Sequence, residues 1–203
     1  MGRSPWWLPW AVYGPLGALG AVLSWLSRGA VLAAPDGVRF ASGRVTSELV
    51  GLALALLVTV VTVRATRLLV ERAMWARRLH LTLRGALLGA SHGRLLVLAG
   101  CSAVAEELFF RAALLPAVGL FASSLVFGAL HVSSRDTYLG WMLWASLMGV
   151  VFGGLFVGSG SLLAPVVAHA AINYGNMQYL CRYDPTLGDT SADRAHAARV
   201  RRP

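Results

Sequence analysis

The chain has no lysine among its 18 basic residues, only two cysteines, and a charged fraction of just 13%. Charge this sparse, beside 57% hydrophobic residues, excludes an ordinary water-soluble domain, where about a quarter of residues are charged. Cys101 and Cys181 lie far apart, in or beside apolar runs, which excludes a disulfide framework and a zinc knuckle. No base-stacking or groove-reading motif is present, so nucleic acid does not explain the net charge of +9. The arginines sit mostly outside the apolar runs, as the orientation of a membrane protein would place them. Exclusive use of arginine reads as a mark of genomic composition and has a bacterial look. There is no internal repeat, no soluble domain and no HExxH zinc motif.

What is present is a succession of apolar runs, which predicts an all-α polytopic transmembrane bundle of about six spans. The first span is 5–26, with Trp6, Trp7 and Trp10 at one end and Trp25 near the other as interfacial anchors. A cleaved secretory signal ending in the small residues of 31–34 is the competing reading. Against it, the run exceeds the usual apolar core of about 7–15 residues, and Arg28 precedes the small residues. Residues 34–47 form a polar loop turning at Pro35, Asp36 and Gly37. The second span is 49–63.

From 64 to 94 the chain carries Arg64, Arg67, Arg72, Arg77, Arg78, Arg84 and Arg94 against Glu71 alone. Leu68, Leu69, Met74, Trp75 and Leu79 recur there at helical spacing, which predicts a basic amphipathic helix on an anionic membrane face. The positive-inside rule makes that face, and the amino terminus, cytoplasmic. The third to sixth spans are 95–116, 117–131, 138–157 and 161–180. Gly119 and Gly128 in the fourth, and Gly149, Gly153 and Gly154 in the fifth, are expected to allow close helix packing. Pro165 falls in the first turn of the sixth, where proline is tolerated. The organisation is therefore 1–94, two spans and a basic segment; 95–181, a core of about four spans; and 182–203, a polar cytoplasmic tail.

The chemistry concentrates in residues 101–116, CSAVAEELFFRAALLP, where Glu106, Glu107 and Arg111 interrupt an apolar run. A charge at the bilayer centre costs about 2.5–3.5 kcal/mol even on insertion scales, so three together need partners or a purpose. Glu107 and Arg111 are four apart and share a helix face, in the favourable order for an ion pair. Glu106 lies about 100° around the helix and is left without that partner. Two later spans add polar groups at the same spacing: Phe127 with His131, and His169 with Asn173.

A carboxylate, two imidazoles and an amide on three spans satisfy one another only by converging. Glu106 and His131 could then take a proton from water, while His169 and Asn173 donate to an oxyanion. The same Glu106, His131 and His169 are a zinc ligand set with one position open for water. A buried structural ion-pair cluster and a proton-coupled transporter are the alternatives, although six short spans without inverted-repeat symmetry are few for a carrier.

Glu106-Glu107-Leu-Phe-Phe-Arg111 resembles the EExxxR motif, Phe127 to His131 the FxxxH motif, and His169 to Asn173 the HxxxN motif of the CPBP family of intramembrane proteases, in that family's order. The family includes CAAX prenyl endopeptidases, bacteriocin-processing and immunity proteins, and the myxosortase protein-sorting branch. The resemblance spans 106–173 and leaves the amino-terminal part without a signature. It implies an intramembrane endopeptidase in which Glu106 and His131 activate water, His169 and Asn173 hold the oxyanion, and Glu107, Arg111 and Phe127 support them. Members are described both as zinc metalloproteases and as glutamate-dependent enzymes, so the cofactor stays open between zinc and none. The expected partners are a membrane-associated or carboxy-terminally anchored protein substrate and the lipid bilayer, in a bacterial inner membrane. A non-enzymatic immunity or binding protein that keeps the fold is the rival.

Overall fold

Leucine, alanine and valine runs with few internal stops propagate as helix. The computed structural model, which describes residues 7–186 apart from Val38, follows that rule almost throughout. Its helices are α1 (Leu8–Arg28), α2 (Arg44–Arg72), α3 (Met74–Leu87), α4 (His92–Glu107), a π-helical turn (Leu108–Leu114), α5 (Leu115–Val118), α6 (Leu120–Ala129), α7 (Arg135–Ser159) and α8 (Leu163–Arg182). Among the described residues there is no strand, and the fold is all-α. Most of the polar tail, including Asp189 and Asp193, lies outside the described residues.

The basic segment is the clearest departure from the sequence reading. Residues 64–94 are not one amphipathic helix. The apolar second span runs on through Arg64, Arg67 and Arg72 as part of α2, because nothing between Leu52 and Arg72 stops it. The helix breaks at Ala73, whose backbone is extended at φ −116° and ψ 121°. Only α3 matches the expected surface helix, burying Ala76, Leu79 and His80 on one side. Ser91 then starts α4 by accepting a hydrogen bond from the Arg94 amide at 3.4 Å. The third span also differs: it is an α-helix, a π turn and a short α-helix in series.

Among the described residues two helices, α2 and α7, are long and apolar enough to cross a membrane. The apolar stretch of α2 is only 17% buried, which is not how a core helix of a soluble protein behaves. Leu49, Leu56, Leu57, Val60 and Val61 all face outward along it. The expected count of six crossings is not established by helix length. The ten residues of α6, for example, reach about 15 Å at 1.5 Å per residue, half the hydrocarbon thickness.

Small residues bring α6 and α7 together. A Cβ on Gly149 would lie 2.9 Å from Ser124, and one on Gly128 would lie 2.4 Å from the Met142 carbonyl. Gly154, expected on the same face, meets nothing, and Gly119 serves as the break between α5 and α6 at φ 85°. One core cluster joins α2, α7 and α8 through Ala55, Phe152, Leu155, Ala164 and Ile172. A second joins the π turn, α6 and α7 through Phe110, Phe127 and Ala145.

The two ends of the bundle are tied differently. At one end the loop after α1 lies on the turn between α7 and α8, with Ala34 N–H donating to Gly160 and Phe40 N–H to Gly158, both at 2.9 Å. At the other, α3 grips the end of α8. Arg84 donates to the Leu180 and Cys181 carbonyls at 2.7 and 2.9 Å, His80 Nε2 to Tyr183 at 3.0 Å, and Arg77 to Pro185 at 2.8 Å.

Candidate active site

The Glu-bearing helix keeps its carboxylates inside because its own packed faces carry small side chains that let neighbouring helices come close. Ala99, Ser102, Ala103 and Ala105 of α4 are all buried against neighbouring helices. Glu107 is wholly buried, and its two oxygens have separate tasks. Oε1 accepts from His169 Nδ1 at 2.8 Å, and Oε2 lies 3.1 Å from Arg111 Nε. Arg111, 1% exposed, is held in turn by aromatic faces: its guanidinium carbon is 4.4 Å from the Phe127 ring centre and 5.4 Å from that of Phe152. Such placement offsets part of the loss of water that a buried cation suffers. The ion pair expected from the four-residue spacing is present, and it also carries a histidine.

His169 stacks on Phe152, with ring centres 4.8 Å apart and planes 18° from parallel. Because Nδ1–H donates to Glu107, the neutral ring presents the Nε2 lone pair on its other side. There, 3.8 Å away, lies Oε2 of Glu106. That oxygen is buried and has no hydrogen-bond partner in the protein, while the Glu106 side chain as a whole keeps 15% exposure. Glu106, left alone by spacing, therefore faces an imidazole edge across a gap too long for a hydrogen bond.

His131 follows the end of α6, and its Nδ1–H donates to the Phe127 carbonyl at 2.7 Å. That bond leaves Nε2 as the free lone pair. The Phe127 ring stands between the two histidines, 4.5 Å from the His131 ring centre and 6.1 Å from that of His169. Trp141 closes the far side of His131 at 5.5 Å.

Asn173 makes a bond that the sequence did not suggest. One of its amide hydrogens goes to Ser102 Oγ at 3.0 Å, which orients the group and leaves the second N–H to act as a donor. Ser102 is therefore a site residue that sequence reasoning missed. Its signal was its position four before Glu106, one turn away on the same helix.

The histidine tautomers suit metal ligation, since each ring is oriented through Nδ1 and presents Nε2. The positions do not: among the described residues no group of three His, Cys, Asp or Glu side chains is arranged to hold an ion. Glu106, His131 and His169 as they stand thus do not form the zinc site that the composition of the set allows.

No curated protein and no solved structure matches this chain. Residues 88–175 match the model of the Rce1-like family, type II CAAX prenyl endopeptidase Rce1-like. The match begins just before α4 and ends within α8, so α1, α2 and α3 lie outside it. The matched segment carries every residue of the three motifs, and over it the chain is similar to the Rce1-like type II CAAX prenyl endopeptidases, a membrane-embedded protease family within the CPBP group.

Proposed function

We propose that this protein is an intramembrane endopeptidase, crossing a bacterial inner membrane about six times, that hydrolyses a peptide bond in a membrane-associated or carboxy-terminally anchored protein. The observation that carries this reading is the buried, unpartnered oxygen of Glu106, directed at His169 in an interior where the Phe127 ring touches both His169 and His131. A polar atom stranded in this way is normally a catalytic group or one awaiting a water.

Water bound between Glu106 and His131 Nε2 gives a proton to the carboxylate, and its oxygen forms a bond to the scissile carbonyl carbon. His131 is oriented for this by the Phe127 carbonyl, which fixes its proton on Nδ1. The carbonyl oxygen becomes an oxyanion and takes hydrogen bonds from the second N–H of Asn173 and from the Nε2–H of a doubly protonated His169, whose Nδ1–H stays on Glu107. The carbon–nitrogen bond then breaks, and the departing amine takes the proton held by Glu106, leaving the carboxylate as it began. Glu107 and Arg111 touch no substrate in this scheme; they hold His169 and Phe127.

The client is a lipidated or carboxy-terminally anchored secreted protein, as in the sorting branch of the family. A prenylated CAAX terminus fits less well, since the arginine-only composition points to a bacterium. The test compares the masses of the membrane proteome in cells lacking the protein and cells carrying Glu106→Gln. Both should accumulate the same uncut client, and restored cleavage by Glu106→Gln would overturn the reading. A chelator should leave cleavage by the purified protein unchanged; loss with recovery on adding zinc would move Glu106, His131 and His169 to a ligand role.

A further inference from the structure

Pro116 has no N–H, so the helix cannot supply a donor from that position to the Ala112 carbonyl four residues earlier. The chain around it widens into the π turn, in which Leu115 N–H donates five residues back to Phe110. The carbonyl of Ala112 is satisfied from another helix. Arg28 Nη2 donates to it at 3.0 Å, and Ser24 Oγ lies at the same distance.

These two side chains form a closed network. Arg28 Nη2 also donates to Ser24 Oγ at 2.8 Å, and Ser24 Oγ lies 2.7 Å from the Ala30 carbonyl, its closer acceptor. Arg28 Nη1 donates to Ala33 at 2.9 Å, anchoring the guanidinium to the loop that lies on the α7–α8 turn. Ser24 is wholly buried although its helix is mostly exposed. The same face of α1 carries Gly20, where a Cβ would come within 2.5 Å of the Phe109 amide nitrogen, and Gly17, 3.3 Å from Ala105. Thus α1 lies directly on the backbone that follows Glu106 and Glu107.

We infer that Arg28 and Ser24 are positioning residues for the catalytic carboxylates: by pinning the Ala112 carbonyl they hold the π turn that seats Arg111 on Glu107 and Phe127 and so aims Glu106 at His169. The inference deepens the protease reading and rests on it for its catalytic consequence. The clamp itself does not depend on it. Both residues lie in the amino-terminal part of the chain, outside the matched family segment, so the element that fixes the acidic pair comes from the region without a motif.

Amide hydrogen exchange of the full chain in lipid nanodiscs tests the clamp directly. Arg28→Ala should raise exchange across 108–118 about tenfold, with α7 unchanged, and Ser24→Ala should do so more weakly. Arg28→Lys, which keeps one charged donor, should recover part of the protection. Pro116→Ala in the Arg28→Ala background returns an N–H to the helix and should recover most of it. In parallel, Arg28→Ala should lower kcat about 10- to 100-fold with KM within twofold and a displaced pH profile. Unchanged exchange at 108–118 in Arg28→Ala overturns the inference, as does exchange raised equally in α7, which would mark a general loss of structure. If the wild-type protein cuts nothing, the protease reading fails while the exchange data still judge the clamp.

Discussion

Arginine, histidine and a carboxylate occur together at two places in this molecule, and the two clusters differ in nearly everything that follows from burial. Inside, Arg111, Glu107 and His169 lie between α4, the π turn and α8, with Glu107 and Arg111 at most 1% exposed. At the end of the bundle, Arg84, Asp184 and His80 join α3 to the residues after α8, with the Arg84–Asp184 side chains 17% and 25% exposed at 3.5 Å. In the interior Glu107 holds both His169 and Arg111 away from water, so the loss of Glu107 strands the other two. At the end, backbone carbonyls and solvent share the work, and the ion pair adds little. The same three residue types thus make a positioning device in one place and a helix clamp in the other.

The strongest way to break this comparison is at the groups the interior cluster serves. Glu106→Gln and His131→Ala should each reduce client cleavage about 10²- to 10⁴-fold with normal insertion, whereas His80→Ala should leave the rate within twofold, all read as initial rates on purified protein. Equal losses would make the site a general fold effect. Next, Arg111→Leu should destabilise the protein by about 3–5 kcal/mol by leaving Glu107 buried and unpaired, against about 1 kcal/mol for Arg84→Leu, measured by thermal unfolding in detergent. Asn173→Ala should lower kcat about 10²-fold with little change in KM, and Ser102→Ala less, since it only orients the amide. Steady-state kinetics decide between them.

The smallest effect is the pH response of the terminal clamp. Burial in the α3–α8 contact pushes the His80 imidazole below its ordinary value of 6.5, partly opposed by its bond to the Tyr183 carbonyl. The folded state therefore binds fewer protons than the unfolded one. Stability from this residue is fully present above 6.5 and is lost as pH falls below it. The Asp184 carboxyl, lowered by hydrogen bonds from Thr186 and by Arg84, adds a loss in the same direction only below its ordinary value of 3.8. Limited proteolysis after residue 182 should quicken between pH 7 and 5.5 in the wild type and not in His80→Phe; an acid-insensitive wild type would remove His80 from the clamp.

Much of this was legible beforehand because helices are local. The spans at 5–26, 138–157 and 161–180 correspond to α1, α7 and α8 with shifts of a few residues at their ends. Their apolar side chains and their stops, at Gly29, Gly160 and Tyr183, are close in sequence. The basic segment misled because arginine is both a surface marker and a good helix former, so composition alone could not show that α2 continues to Arg72. The Glu107–Arg111 pair followed from spacing. That Glu107 also holds His169 did not, since those residues are 62 apart and only packing brings them together.

By itself the sequence determined the helical class, the apolar spans, and which carboxylates, imidazoles and amide sit in them, because period, propensity and hydrophobicity act between near neighbours. The tertiary structure alone decided which nitrogen of each histidine is free, that Ser102 orients Asn173, and that Arg28 of the first helix satisfies a carbonyl beside the acidic pair. Those outcomes depend on hydrogen bonds between helices, whose donors and acceptors acquire partners only when the chain is packed and water has been excluded.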